Sequence, residues 1–324
     1  MQINHLSPQG FTLTEKEISD WREKVSKYSL AFNGLKKKAD FDLSLLKRLK
    51  DEGSYEPYIT PMWKKHLDQI EELIVKKDIA ILDNSLVRYA IYLTIVSVWA
   101  NKQIPYLEKR FSPGVLSSLL KESATLHQTI IDQKYKTSES RVNHLTHLSC
   151  FEDHTDLNIS DMTTVVEFGG GYGGMTALLK AFNENMTIVV IDIPVMITLQ
   201  SFYLSGALGK NSFCILTDGN LGIQTGKINY LPVTLLSKVQ NLNADLFIAT
   251  WSLSEANKYT QNTIESVNFF NADHILFGYR FYLEKNPKQP FSEPLPKMFD
   301  YNIKFHGPTF WSLNSEQYYL FASY

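Results

Sequence analysis

Two kinds of apolar spacing divide the chain. Up to about residue 140 the period is helical: Trp63, Leu67, Ile70 and Ile74 fall at i, i+4, i+7 and i+11, one stripe of a helix. Ser112-Pro113 predicts a helix start, with a hydroxyl N-cap and proline in the first turn, and Leu116, Leu119 and Leu120 form the face that follows. Residues 79–99 are apolar nearly all round, which predicts a helix inside a helical layer.

Beyond residue 160 the pattern alternates. "TTVVEF" (163–168), "TIVVIDI" (187–193), "SFCILTD" (212–218), "ADLFIATW" (244–251) and "DHILFGYRF" (273–281) read as strands. Between them "GGMTALLKAF" (173–182), "PVMITLQSFYLSGAL" (194–208), "PVTLLSKV" (232–239) and "EANKYTQNTIESVNFF" (255–270) read as helices. Continuous apolar strands alternating with helices call for a parallel sheet covered on both faces. At the end, "IKFHGPTFW" (303–311) and "QYYLFASY" (317–324) are joined by five residues only, "SLNSE". So short a link permits an antiparallel hairpin and no parallel crossover. The expectation is an α/β fold: a doubly wound, mostly parallel, seven-stranded sheet with an antiparallel last strand. A helical domain over residues 1–140 precedes it, and the sheet domain spans 141–324.

Composition narrows the partners. Formal net charge is −2 with 20% charged residues, so nothing suggests a broad footprint for nucleic acid; Lys36-Lys37-Lys38 reads as a solvated face. Two cysteines, Cys150 and Cys214, without a Cys-x-x-Cys pair, exclude a disulfide framework and a zinc site of the usual spacing. The first residues lack the basic start and apolar run of a signal peptide. Residues 89–100, the most apolar stretch, are 12 long, short of the ~20 that a membrane span needs. A soluble cytoplasmic protein is expected.

The chemistry concentrates in "VVEFGGGYGG" (165–174). Gly169, Gly171, Tyr172 and Gly173 lie in a segment that satisfies G-x-G-x-x-G, the dinucleotide fingerprint. It equally satisfies the acid-x-G-x-G-x-G of S-adenosylmethionine (SAM) sites. Asp192 ends the second strand 23 residues past Gly169, near the ~20 expected of an acid that bonds ribose hydroxyls. Glu167 separates the readings. A diphosphate over the glycine turn is repelled by a carboxylate there, whereas the sulfonium and ammonium of SAM are held by one.

With these segments in view, the sequence resembles the class I SAM-dependent methyltransferases, and among them the sugar O-methyltransferases of bacterial polysaccharide and antibiotic gene clusters. "VVEFGGGYGG", "VIDIP" (190–194) and "TWSLSEA" (250–256) carry the resemblance, led in by "NHLTHLSCF" (143–151). It covers residues 140–324, and the first 110 carry little of it. Ile193 replaces a commoner leucine, and Ala256 stands where methionine is expected. The resemblance implies SAM as cofactor and a sugar or glycoconjugate acceptor. Some sugar O-methyltransferases use magnesium, but no ligand spacing here supports a metal, the cluster of Glu152, Asp153, His154 and Asp156 included.

Ligands of open α/β sheets lie beyond the carboxyl ends of the strands, where strand order reverses. Those ends are Glu167–Gly173, Asp192-Ile193, Thr217-Asp218-Gly219 and Thr250-Trp251-Ser252. Asp192 is expected on the ribose, Ile193 on the adenine face and Asp218 on the adenine amino group, unless Asp218 is simply a turn residue. Glu255 is the leading general base, with Ser252 or Ser254 as orienting donor; against it, Ser254 could cap a helix with Glu255 in its first turn. His144 and His147, at i and i+3, compete for the role of base. His274, at the far edge of its strand, and Arg88, alone in an apolar helix, read as structural. The N-terminal helices should cover the cleft and supply the substrate wall, with a homodimer contact left open. A nicotinamide-dependent oxidoreductase using the same glycines is the rival enzyme, and a non-catalytic binding module of the same fold is the rival outside enzymes.

Overall fold

A computed structural model describes residues 39–84, 87, 100–123, 130–132, 134–239, 242–280, 300–309 and 317–324. Lys36–Lys38, Arg88, most of the apolar stretch 79–99 and the link 312–316 lie outside these residues.

The N-terminal part is helical, as its period requires: α1 (Leu43–Asp51), α2 (Pro61–Val75), α3 (Ala100–Arg110) and α4 (Pro113–Leu120). Thr60 caps α2 by accepting from the Trp63 amide, and Leu67, Ile70 and Ile74 bury the expected stripe. Helix α4 starts at Pro113 and buries Leu116, Leu119 and Leu120, although Ser112 makes no side-chain cap bond. A two-stranded ribbon, β1 (Ile130–Asp132) and β2 (Thr137–Ser138), leads into α5 (Glu139–Thr155). Ser138 caps α5 by accepting from the Arg141 amide at 3.1 Å.

The sheet region continues as β3 (Thr164–Phe168), α6 (Gly174–Phe182), β4 (Thr187–Asp192), α7 (Pro194–Leu208), β5 (Phe213–Ile215), β6 (Ile228–Pro232), β7 (Leu246–Thr250), α8 (Ser252–Glu255), α9 (Lys258–Ser266), β8 (His274–Arg280), β9 (Asn302–Pro308) and β10 (Gln317–Ser323). Strand order is β5-β6-β4-β3-β7-β8-β10-β9. Pairing is parallel from β5 to β8. Strand β10 runs antiparallel to both neighbours. Every residue of β4 is buried, as a strand covered on both faces must be.

Among the described residues the sheet has eight strands where the sequence pattern predicts seven. The extra one is "INYLP" (228–232), which takes the place next to β4 and leaves 213–215 as a short, half-buried edge. Its second residue, Asn229, hides the strand pattern. The side chain is buried yet satisfied, accepting from the Gln224 amide at 2.7 Å and donating to Gln224 O at 3.0 Å. The helix expected over 232–239 is a 3₁₀ turn, Val233–Lys238. The helix expected over 255–270 breaks at Ala256, between α8 and α9. Both cysteines are free.

The chain runs from β3 to β4, out to the edge strand β5 and back to β6, then jumps to β7 on the other side of β3. That reversal opens a crevice at the carboxyl ends of β3, β4 and β7.

Candidate active site

One cavity occupies this crevice, and the glycine loop forms its floor. Gly169 has φ +74°, and a Cβ there would lie 2.3 Å from Cβ of Ser252. Only glycine allows the loop after β3 to meet the loop after β7 so closely. The Ser252 hydroxyl donates to Phe168 O across that contact. Gly173, at φ +99°, then turns the chain into α6 as its N-cap.

Glu167 and Asp192 stand at the tips of adjacent strands and both line the cavity. They are 4% and 8% exposed. Glu167 Oε2 accepts from the Thr176 hydroxyl at 2.5 Å. Burial pushes the Glu167 carboxyl up to about 7, the Thr176 bond pulls it back, and the nearby Asp192 charge adds to the rise. Burial raises Asp192 to about 7 as well, against the pull of the Ile193 amide and the Gln200 side chain. Gln200 donates to Asp192 Oδ2 at 2.6 Å and to Gly171 O at 3.0 Å, so it ties the acid to the loop. Ile193 and Met196 line the wall beside Asp192. Tyr172 of the loop is buried, and its hydroxyl donates to Glu122 at 3.2 Å.

The opposite wall comes from three places. Thr250, Trp251, Ser252, Glu255 and Ala256 follow β7. Tyr58, Ile59, Thr60 and Trp63 come from the start of α2, and Ser140, Asn143, His144 and His147 from α5. The α2 segment is held in place by the chain after α8. Asn257 donates to Pro57 O at 2.7 Å and to Ile59 O at 3.1 Å, and the Thr260 hydroxyl donates to Tyr58 O at 2.7 Å.

The predicted residues fall into two groups. Glu167, Gly169, Gly171, Tyr172, Asp192, Ile193, Thr250, Trp251, Glu255, His144 and His147 all line the cavity, and Gly173 shapes the loop beneath it. Asp218, Gly219 and Ser254 do not line it. Asp218 stands in the turn between Thr217 and Asn220, its side chain 63% exposed and 2.6 Å from Lys238 Nζ. The reason is the inserted strand: β6, not 213–215, reaches the crevice, so Val233 takes the place expected of Asp218. Ser254 donates its hydroxyl to Trp251 O at 2.7 Å and closes the turn of α8. Ser252 likewise spends its donor on backbone, so neither serine hydroxyl is left to donate to an acceptor.

Both candidate histidines are kept neutral. Burial lowers His144 to about 3, helped by the Arg141 charge, and burial lowers His147 well below the usual imidazole range. His147 Nδ1 lies 2.5 Å from the Tyr319 hydroxyl. The Glu152–Asp156 cluster is otherwise engaged: Arg110 pairs with Glu152 and Asp153, and His154 Nδ1 lies 2.7 Å from Cys150 O. His274 lies 3.0 Å from the Ser323 hydroxyl at the start of β8. Among the described residues no cluster of His, Cys, Asp and Glu has the form of a metal site.

Strand order and the antiparallel β10 define the methyltransferase type of the Rossmann-like α/β fold. No protein-family model matches the chain, and no curated protein matches it. Among solved structures it is similar to magnesium protoporphyrin IX methyltransferase from Synechocystis PCC 6803 with bound SAH, at 13% identity and TM-score 0.40, covering 56% of this chain and 84% of that one. It is similar to the mitomycin 7-O-methyltransferase MmcR at 10% identity and TM-score 0.37, over 57% of each chain. A point mutant of MtNAS aligns over 96% of this chain and 99% of its own, at 12% identity and TM-score 0.37. Among the described residues no helix is long and apolar enough to cross a membrane.

Proposed function

We propose that the chain is a cytoplasmic SAM-dependent O-methyltransferase acting on a hydroxyl of a sugar or sugar-containing molecule. One observation carries this reading: two buried carboxylates, Glu167 and Asp192, flank a glycine loop and share one cavity with a third, Glu255. When bound, SAM supplies an electrophilic methyl group that needs no activation by the protein. Asp192 takes the ribose hydroxyls, Glu167 holds the cofactor's cationic end, and Ile193, Met196 and Val233 enclose the adenine. Glu255 orients the acceptor hydroxyl and receives its proton. Residues 1–140 form the cover and substrate domain over the 141–324 unit; Tyr58, Thr60 and Trp63 in the cavity wall support this.

The sugar assignment draws on the same wall. Tyr58, Trp63 and Trp251 offer aromatic faces beside neutral hydrogen-bonding groups, which suits a ring apolar on its C–H faces and polar at its hydroxyl rim. Among the described lining residues there is no lysine or arginine to pair a phosphate. Incubation with methyl-labelled SAM should therefore place an alkali-stable ether on neutral sugars and leave sugar phosphates unlabelled. Label found only on amines, or only on phosphorylated acceptors, contradicts the reading.

The raised carboxyls set a pH dependence. A cationic ligand selects the ionised carboxylates, so SAM affinity measured calorimetrically should rise toward pH 7 and level off above it. Below that point it falls by up to about tenfold per pH unit for each proton displaced. Stability of the unliganded protein has the opposite sign. The folded state holds protons that the unfolded chain releases between the ordinary carboxylate range and about 7, so the thermal midpoint falls as pH rises through that window.

A further inference from the structure

Ser140, Asn143 and His144 sit at i, i+3 and i+4 on one face of α5, and all three line the cavity. Within the described residues no hydrogen bond engages any of their side chains, and His144 Nδ1 is buried without a partner. Their polar neighbours on the same helix are occupied. Thr146 donates to Val142 O at 2.8 Å, His147 lies on Tyr319, and Arg141 donates to Leu119 O at 2.7 Å and to Gly174 O at 3.2 Å. Three side chains that line the cavity and have no hydrogen bond of their own among the described residues form a site for an acceptor group.

The charge of that group follows from the surroundings. The carboxylates of the cavity, Glu167, Asp192 and Glu255, come from the strand tips and from α8, none from α5. Behind the α5 face lies the buried guanidinium of Arg141, bonded to carbonyl oxygens and close enough to His144 to disfavour its protonation. The arrangement of charge thus sets carboxylates at the strand tips against a buried guanidinium on α5. A zwitterionic ligand aligns with it, cationic end toward Glu167 and anionic end toward α5.

Resting on the SAM-dependent reading above, we propose that Ser140, Asn143 and His144 receive the α-carboxylate of the cofactor's methionyl end. A serine hydroxyl, an asparagine amide and a neutral imidazole N–H are all donors to a carboxylate. His144 is then a cofactor-binding residue and not the general base.

The test compares two ligands in calorimetric titrations: S-adenosylhomocysteine and its decarboxylated analogue S-adenosyl-3-thiopropylamine, which keeps the adenosine, sulfur and amine. The wild-type chain should bind the first about tenfold or more tightly than the second, the scale of one or more hydrogen bonds to a charged group. Asn143→Ala and His144→Ala should shrink that ratio toward one while the affinity for the decarboxylated analogue stays put, which also shows that the variants are folded. A wild-type ratio near one, or variants that weaken both ligands equally, overturns the proposal and leaves the SAM reading standing. An unchanged ratio with weaker acceptor binding gives the face to the acceptor and overturns it too. If the wild-type chain binds neither adenosyl ligand, the SAM reading itself fails.

Discussion

Replacing Glu255 by glutamine should lower turnover by about 10²–10⁴-fold while cofactor affinity stays nearly unchanged. Glutamine keeps the shape and the orienting hydrogen bond but cannot take the hydroxyl proton. Glu255 lines the cavity from α8, directly after β7, the strand beside the glycine loop. Its competitors are poor bases where they stand. Burial holds His144 near 3 and His147 well below the usual range, so the imidazolium that a histidine base must form is disfavoured in both. A purely local role for Glu255, in the first turn of the four-residue α8, predicts a different result: roughly 1 kcal/mol or less of stability lost, with turnover intact. Steady-state kinetics alongside thermal unfolding separates the two. If Glu255→Gln keeps its rate and His147→Ala loses it, the base is the histidine.

The strand–glycine–helix unit from Val165 to Phe182 was legible because every level of the sequence agreed: apolar strand, glycines, then a helical period. The same holds for Asp192 at the end of β4 and for the α2 stripe. Strand β6 was not legible. Its buried Asn229 breaks the apolar run, and the backbone of the preceding loop at Gln224 that satisfies it carries no side-chain pattern. That one miss moved the third strand tip and so misplaced Asp218 and Gly219. The sequence offers Ser254 as a donor because the turn that consumes its hydroxyl is not visible in "SLSE". Thr176 and Gln200, which fix Glu167 and Asp192, leave no signal in the sequence because each lies on a helix packed against the strand tip, 9 and 8 residues from its partner. No local pattern marks such a pair. Tyr58 and Asn143 reach the cavity only through packing of the N-terminal helices and of α5 against the sheet.

The central claim is that the glycine loop holds a sulfonium cofactor and not a dinucleotide. Its physical basis is the pair Glu167 and Asp192. Two unit charges ~4 Å apart interact by about 4 kcal/mol at an effective dielectric of 20. A diphosphate beside ionised Glu167 is disfavoured on that scale, and a sulfonium or ammonium favoured. Above the raised carboxyl range of about 7 both acids are ionised and the contrast is greatest. Calorimetric titration of the full chain at pH 8 with SAM and, separately, with NAD is the direct measurement. SAM should bind at least on the order of 10²-fold more tightly than NAD, about 2.7 kcal/mol, and Glu167→Gln should erode that preference. NAD binding as tight as SAM binding, or tighter, contradicts the account.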